Sequence, residues 1–118
     1  MQQRLDLAFG LMNGPQAVPT EIVKQCKTMK DALRLEWQMR RIKGMTQSYC
    51  ASVCGFHAPH LSLWLSDKEG APDMPAKHLT AFHGVTGWTL TTQWLAMQAE
   101  LTVMEEVQAN VQAERNAA

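Results

Sequence analysis

The stretch Thr46–Gly70, TQSYCASVCGFHAPHLSLWLSDKEG, decides the fold, because it predicts two short helices joined by a tight turn. Thr46 is placed to cap the first helix, its hydroxyl accepting from a free N–H of the opening turn. Tyr49, Cys50, Val53 and Cys54 then recur at three- and four-residue spacing, which is one helical face. Gly55 follows, the residue that takes positive φ and ends a helix without steric cost. Pro59 suits the first turn of a second helix, where its missing N–H would have had no acceptor. Leu61, Trp64 and Leu65 give that helix its inward face, and Gly70 is the expected stop. Two helices with a short Gly-containing turn form a helix-turn-helix unit, whose second member can enter the DNA major groove.

The order of residues resembles the DNA-binding core of the lambda-repressor/Cro-like (XRE-type) family. Gln47 opens the first helix, Ala51 lies where the helices cross, Gly55 makes the turn, Phe56 follows it, and Leu61 and Trp64 point inward. The family places polar residues at the start of its reading helix, whereas this chain has Ala58, Pro59 and His60, with Leu63 further along. A second run, MPAKHLTAFHGVTGWTLTTQWLA (Met74–Ala96), looks like the rear half of phage and prophage regulators of the CII kind. The resemblance implies an all-α, lambda-repressor-like helix-turn-helix bundle of about five or six helices. It also implies a transcriptional regulator that binds operator double-stranded DNA as a homodimer.

Composition supports an all-helical, single-domain reading. The 118 residues are 46% apolar, enough for one core but short for two. Met, Leu, Ala and Gln are common and Tyr, Phe and Ile few, a balance that favours helix over strand. No window approaches the roughly eighteen apolar residues of a membrane span, and the first residues lack a signal-peptide pattern, so the expectation is cytoplasmic. Three cysteines suit a reducing compartment better than a disulfide framework.

Net charge is formally zero, but its distribution is uneven. Lys24, Lys27, Lys30, Arg34, Arg40, Arg41 and Lys43 face only Asp31 and Glu36 in the same stretch. After Gly70, Lys77 and Arg115 stand against Asp73, Glu100, Glu105, Glu106 and Glu114. This polarity fits a phosphate-facing side, and equally a solvated helix face followed by an acidic terminal helix.

Along the chain, residues 1–19 read as an N-terminal extension, broken by Gly10, Gly14, Pro15 and Pro19, that either packs on the domain or is mobile. Residues 20–95 form the helix-turn-helix domain. Within it, Thr20 is the expected cap of a helix over Glu21–Lys27. Thr28 and Asp31 form a capping box for a longer helix over Met29–Lys43, stopped by Gly44, that packs across both motif helices. Pro75 leads another helix, with Leu79, Phe82 and Val85 inward and Gly84 or Gly87 at its end. From Thr89 no Gly or Pro remains, which predicts a long final helix, with 96–118 beyond the domain. Trp94, Met97, Leu101, Met104, Gln108 and Val111 follow heptad a/d spacing, either as a dimerisation seam or as core closure up to Leu101 with the rest frayed.

The candidate DNA contacts are Arg40, Arg41, Lys43, Thr46, Gln47, His57, Ala58, His60, Ser62 and Lys68. Gln47 is a phosphate contact by resemblance. Arg40 and Arg41 are expected to bind phosphate without mattering to helicity. Cys50, Cys54, His57 and His60 offer zinc-type ligands, but the motif turns the two cysteines inward and the histidines outward, so no metal is expected. No cofactor or small-molecule ligand is implied. No catalytic motif is present, and His78 and His83 lack an obvious nucleophile partner, so no enzyme is expected. An alternative reading keeps the helix-turn-helix as the scaffold of a protein-interaction adaptor, antitoxin-like or polymerase-binding, because fold does not fix function.

Overall fold

A computed structural model describes residues 14–117, without the side chains of 101–103. Residues 1–13 of the expected extension, and the Leu101 side chain of the expected seam, lie outside the described residues. The described residues are all-helical, with six α-helices in the order α1 (Thr20–Val23), α2 (Met29–Gln38), α3 (Gln47–Cys54), α4 (Ala58–Trp64), α5 (Leu79–Thr86) and α6 (Leu90–Ala117). A 3₁₀ turn, Ala76–His78, leads into α5.

Helix α2 is the centre of the molecule. Its capping box forms as expected, the Thr28 hydroxyl accepting from Asp31 N–H and the Asp31 carboxylate accepting from Thr28 N–H. Leu33 faces one apolar cluster with Cys50, Ala51, Leu61, Trp64 and Phe82. Ala32 faces a second, with Val18, Val23, Cys26 and Leu90. As expected, α2 packs across both motif helices through Leu33, and it also packs extensively against α6.

Three helix boundaries also differ from the sequence reading. The α1 helix is one turn, with Pro19 rather than Thr20 at its cap, because Ile22 N–H already donates to Pro19 O. The α2 helix ends at Gln38, five residues before Lys43, although the residues that follow are good helix formers. Tertiary partners claim the backbone there: Trp88 Nε1 donates to Met39 O at 2.8 Å, and Arg41 N–H donates to Thr86 O at 3.1 Å. The α4 helix ends at Trp64, well short of Gly70. Its last carbonyls are taken by Lys30, whose Nζ donates to Trp64 O and Pro72 O at 2.7 Å and to Leu63 O at 3.3 Å. A cation on the C-terminal carbonyls also suits the helix dipole. Burial pulls this ammonium below the usual lysine range, against the opposing pull of Asp73.

A fully buried carboxylate fastens α2 to the elements that follow. Glu36 has no exposed surface. Its Oε1 accepts from Thr91 N–H at 2.9 Å, and its Oε2 accepts from Thr86 Oγ1 at 2.8 Å and pairs with His83 Nδ1 at 3.0 Å. The first turn of α6 is thereby tied to α2 and α5.

Residues 14–19 pack on the same region. Gln16 bridges to Trp88, Val18 is buried, and the Gln93 side-chain amide satisfies both backbone groups of Val18 at 2.9 Å. Helix α6 then runs for 28 residues, about 42 Å at ~1.5 Å per residue. Trp94 and Met97 pack on the second cluster, and Trp94 Nε1 donates to Cys26 O. Met104, Val107 and Val111 are exposed on the helix beyond. Among the described residues, no helix is long and apolar enough to cross a membrane.

Gly87 ends α5 at φ 86°, and the Arg41 side chain crosses directly over it. A Cβ there would lie 2.6 Å from Arg41 Cδ, so any other residue must displace Arg41 from its seat over Trp88 as well as adopt a left-handed backbone. Gly84, mid-helix and exposed, has nothing within 4 Å of its notional Cβ. Gly87→Ala is therefore expected to destabilise by about 2 kcal/mol, and Gly84→Ala to stabilise by about 0.5–1 kcal/mol. Urea unfolding of both variants checks this, and equal effects at the two sites would contradict it.

Candidate nucleic-acid interface

The two motif helices pack as the residue types dictate. Thr46 Oγ1 accepts from Tyr49 N–H at 3.1 Å and caps α3. Gly55, at φ 75°, turns the chain, and Phe56 N–H returns to Ala51 O at 2.8 Å. Pro59 occupies the first turn of α4. Cys50, Ala51, Phe56, Leu61 and Trp64 form the buried seam between the helices. Tyr49 and Val53, expected on the inward face, are instead more than half exposed, so α3 buries a narrower stripe than its apolar spacing suggested.

The outer side of α4 consists of Ala58, Pro59, His60, Ser62 and Leu63, all exposed, with the exposed Lys68 in the turn that follows. Thr46 is exposed and Gln47 half-buried at the start of α3. The His57 and His60 rings meet edge to face, with centroids 4.8 Å apart. His60 also lies 6.0 Å from Trp64, while His78, which the sequence reading did not connect to this site, stacks on Trp64 at 5.6 Å. Together with Phe56 and Lys77 they line an open cleft of about 600 Å³ beside α4. Trp64 itself is a buried anchor rather than an exposed platform.

The basic residues expected to meet phosphate are arranged differently. Arg40 lies in the turn after α2, and its guanidinium donates to Trp37 O, Lys43 O and Met45 O at 2.8–3.0 Å. It also stacks on the Trp37 ring at 4.2 Å. Arg41 stacks on Trp88 at 4.7 Å, and Lys43 Nζ donates to Gln38 O at 2.9 Å. Arg40, expected as a phosphate contact whose loss costs little helicity, closes the turn that delivers the chain to α3. Lys24, Lys27, Lys68 and Lys77 are exposed cations.

Cys50 is fully buried, and its contact with the Cys54 sulfur together with that burial pushes its thiol well above the usual range. Cys54 donates to Ala81 O at 3.4 Å. Among the described residues, no three His, Cys, Asp or Glu side chains come together in a way that could hold a metal ion.

His83 has partners that were not obvious in the sequence. It lies between Glu36 on Nδ1 and the Thr92 hydroxyl on Nε2, the latter at 2.6 Å, so it has both a carboxylate and a hydroxyl partner. The available signal was positional: Glu36 falls four residues after Ala32 and three after Leu33, on the buried face of α2. Comparisons of the chain with protein-family models, with curated proteins and with solved structures give no match.

Arg40→Ala is expected to cost about 1–3 kcal/mol of stability, because three carbonyls lose a charged donor, whereas Lys43→Ala should stay within about 0.5 kcal/mol. Urea midpoints of the two variants measure the difference. Wild-type stability in Arg40→Ala would return that guanidinium to the list of free phosphate contacts.

Proposed function

We propose that this chain is a sequence-specific DNA-binding transcriptional regulator of the phage or prophage kind, acting in the cytoplasm and binding operator DNA as a homodimer. The observation that carries this reading is the Gly55 turn. It holds α3 and α4 against one buried seam and leaves Ala58, Pro59, His60 and Ser62 on the outer side of the second helix. That arrangement suits a lambda-repressor-like reading helix lying in the major groove, with Thr46 and Gln47 beside the backbone. Lys68 and Lys77 supply positive charge near the helix, and binding through them would weaken with salt as counterions compete. The exposed Met104, Val107 and Val111 on α6 supply a surface for pairing two copies.

A second reading is an interaction adaptor. It is favoured by one feature: α4 carries no Lys or Arg, and Leu63 on its outer side is 41% exposed. A short apolar patch of this kind fits a protein partner better than phosphate.

Titration against duplexes from the DNA upstream of the coding sequence, at low and physiological salt, separates the readings. The regulator reading expects preference for a particular duplex over its scrambled version at both salts. It also expects at least a roughly tenfold loss on replacing His60 with Asp, which sets a negative charge against the groove. Equal, salt-labile binding to both duplexes, unchanged by that substitution, would favour the adaptor.

A further inference from the structure

The buried network around Glu36 has a chemical consequence separate from DNA binding. Thr91 N–H and Thr86 O–H both donate to the Glu36 carboxylate. With the carboxylate ionised, His83 Nδ1 is the donor to Oε2, at 3.0 Å. In the neutral imidazole this leaves Nε2 as an acceptor, facing the Thr92 hydroxyl at 2.6 Å. Carboxylate, imidazole and hydroxyl thus stand in the order that activates a nucleophile, with the carboxylate fixing the tautomer. Burial is graded along the chain of contacts: Glu36 is sealed, His83 is 6% exposed, and Thr92 is exposed. Thr92 also sits in the first turn of the 28-residue α6, where a backbone N–H lacks an intrahelical acceptor and the dipole favours developing negative charge.

We propose that Thr92 is an activated hydroxyl that accepts acyl groups from activated esters, with His83 as its general base and Glu36 as the positioning carboxylate. Thr92 Oγ1 attacks the acyl carbonyl carbon, and its proton passes to His83 Nε2. The carbonyl oxygen carries the negative charge while the carbon is tetrahedral. The bond to the leaving oxygen then breaks, and that oxygen takes the proton from His83 Nε2. The products are the Thr92 ester and the free alcohol, with His83 returned to the state in which it began.

The test treats the intact chain with p-nitrophenyl acetate and measures the acetylated peptides by mass spectrometry. Reading the peptides rather than nitrophenolate release keeps the exposed histidines 57 and 60 from confusing the result. Thr80, exposed on α5, serves as the internal reference hydroxyl. Thr92 should be acetylated at least roughly tenfold faster than Thr80, within the range that general-base assistance supplies. Thr92→Ser should keep the label at the same position. A folded His83→Gln variant should lose the excess over Thr80. Acetylation of Thr92 no faster than of Thr80 in the unaltered chain overturns the proposal, whether or not the His83 variant folds. An excess that survives in folded His83→Gln also overturns it.

Discussion

The fold depends on one carboxylate placed where a charge should be unwelcome. Glu36 is completely buried, and desolvating an ion of this kind costs several kcal/mol unless its lone pairs are answered. Thr91 N–H, Thr86 Oγ1 and His83 Nδ1 answer them at 2.8–3.0 Å. Hydrogen bonds to a charged group contribute about 1.5–3 kcal/mol each. Three of them offset a penalty of that order, and they act only when α2, α5 and the first turn of α6 are all in place. An apolar residue at this position would pack but would not select that register. The same carboxylate orders His83 and, through it, Thr92.

A second constraint follows from the cations. Lys30 and Arg40 do not reach outward; each donates to three backbone carbonyls where a helix ends or a turn closes. Irregular chain between helices leaves carbonyls without partners, and long cationic side chains satisfy several at once. The positive charge of the front half is thus partly consumed in holding α4 and the turn before α3. What remains exposed near the two motif helices is sparse, with imidazoles rather than lysines on the outer side of α4. Local shape therefore bears more of the functional reading than charge does.

Much of the helix-turn-helix pair was legible because its determinants are local. Thr46, Gly55 and Pro59 act through their own backbone, and their roles in capping, turning and starting a helix follow from residue type. The capping box at Thr28 was legible for the same reason, and the stop of α5 was narrowed to Gly84 or Gly87, of which Gly87 is the one. The early end of α2 was not, because Trp88 and Thr86, far along the chain, compete for its backbone. Nor was the partnership of His78 with Trp64, which a folded loop brings together. Glu36 and His83 were the costliest omissions, since both residue types ordinarily face solvent. Only their register with Leu33 and Leu79 marked them as buried.

The most direct test of the central role of Glu36 is hydrogen exchange at the Thr91 amide, followed as a function of low urea concentrations. A second-position amide in a helix normally lacks an acceptor and exchanges quickly. If Glu36 Oε1 holds it inside the core, it exchanges only through global unfolding, with the urea dependence of amides at Leu33 and Phe82. Exchange as fast as that of the neighbouring Thr92 amide, insensitive to urea, would contradict the account.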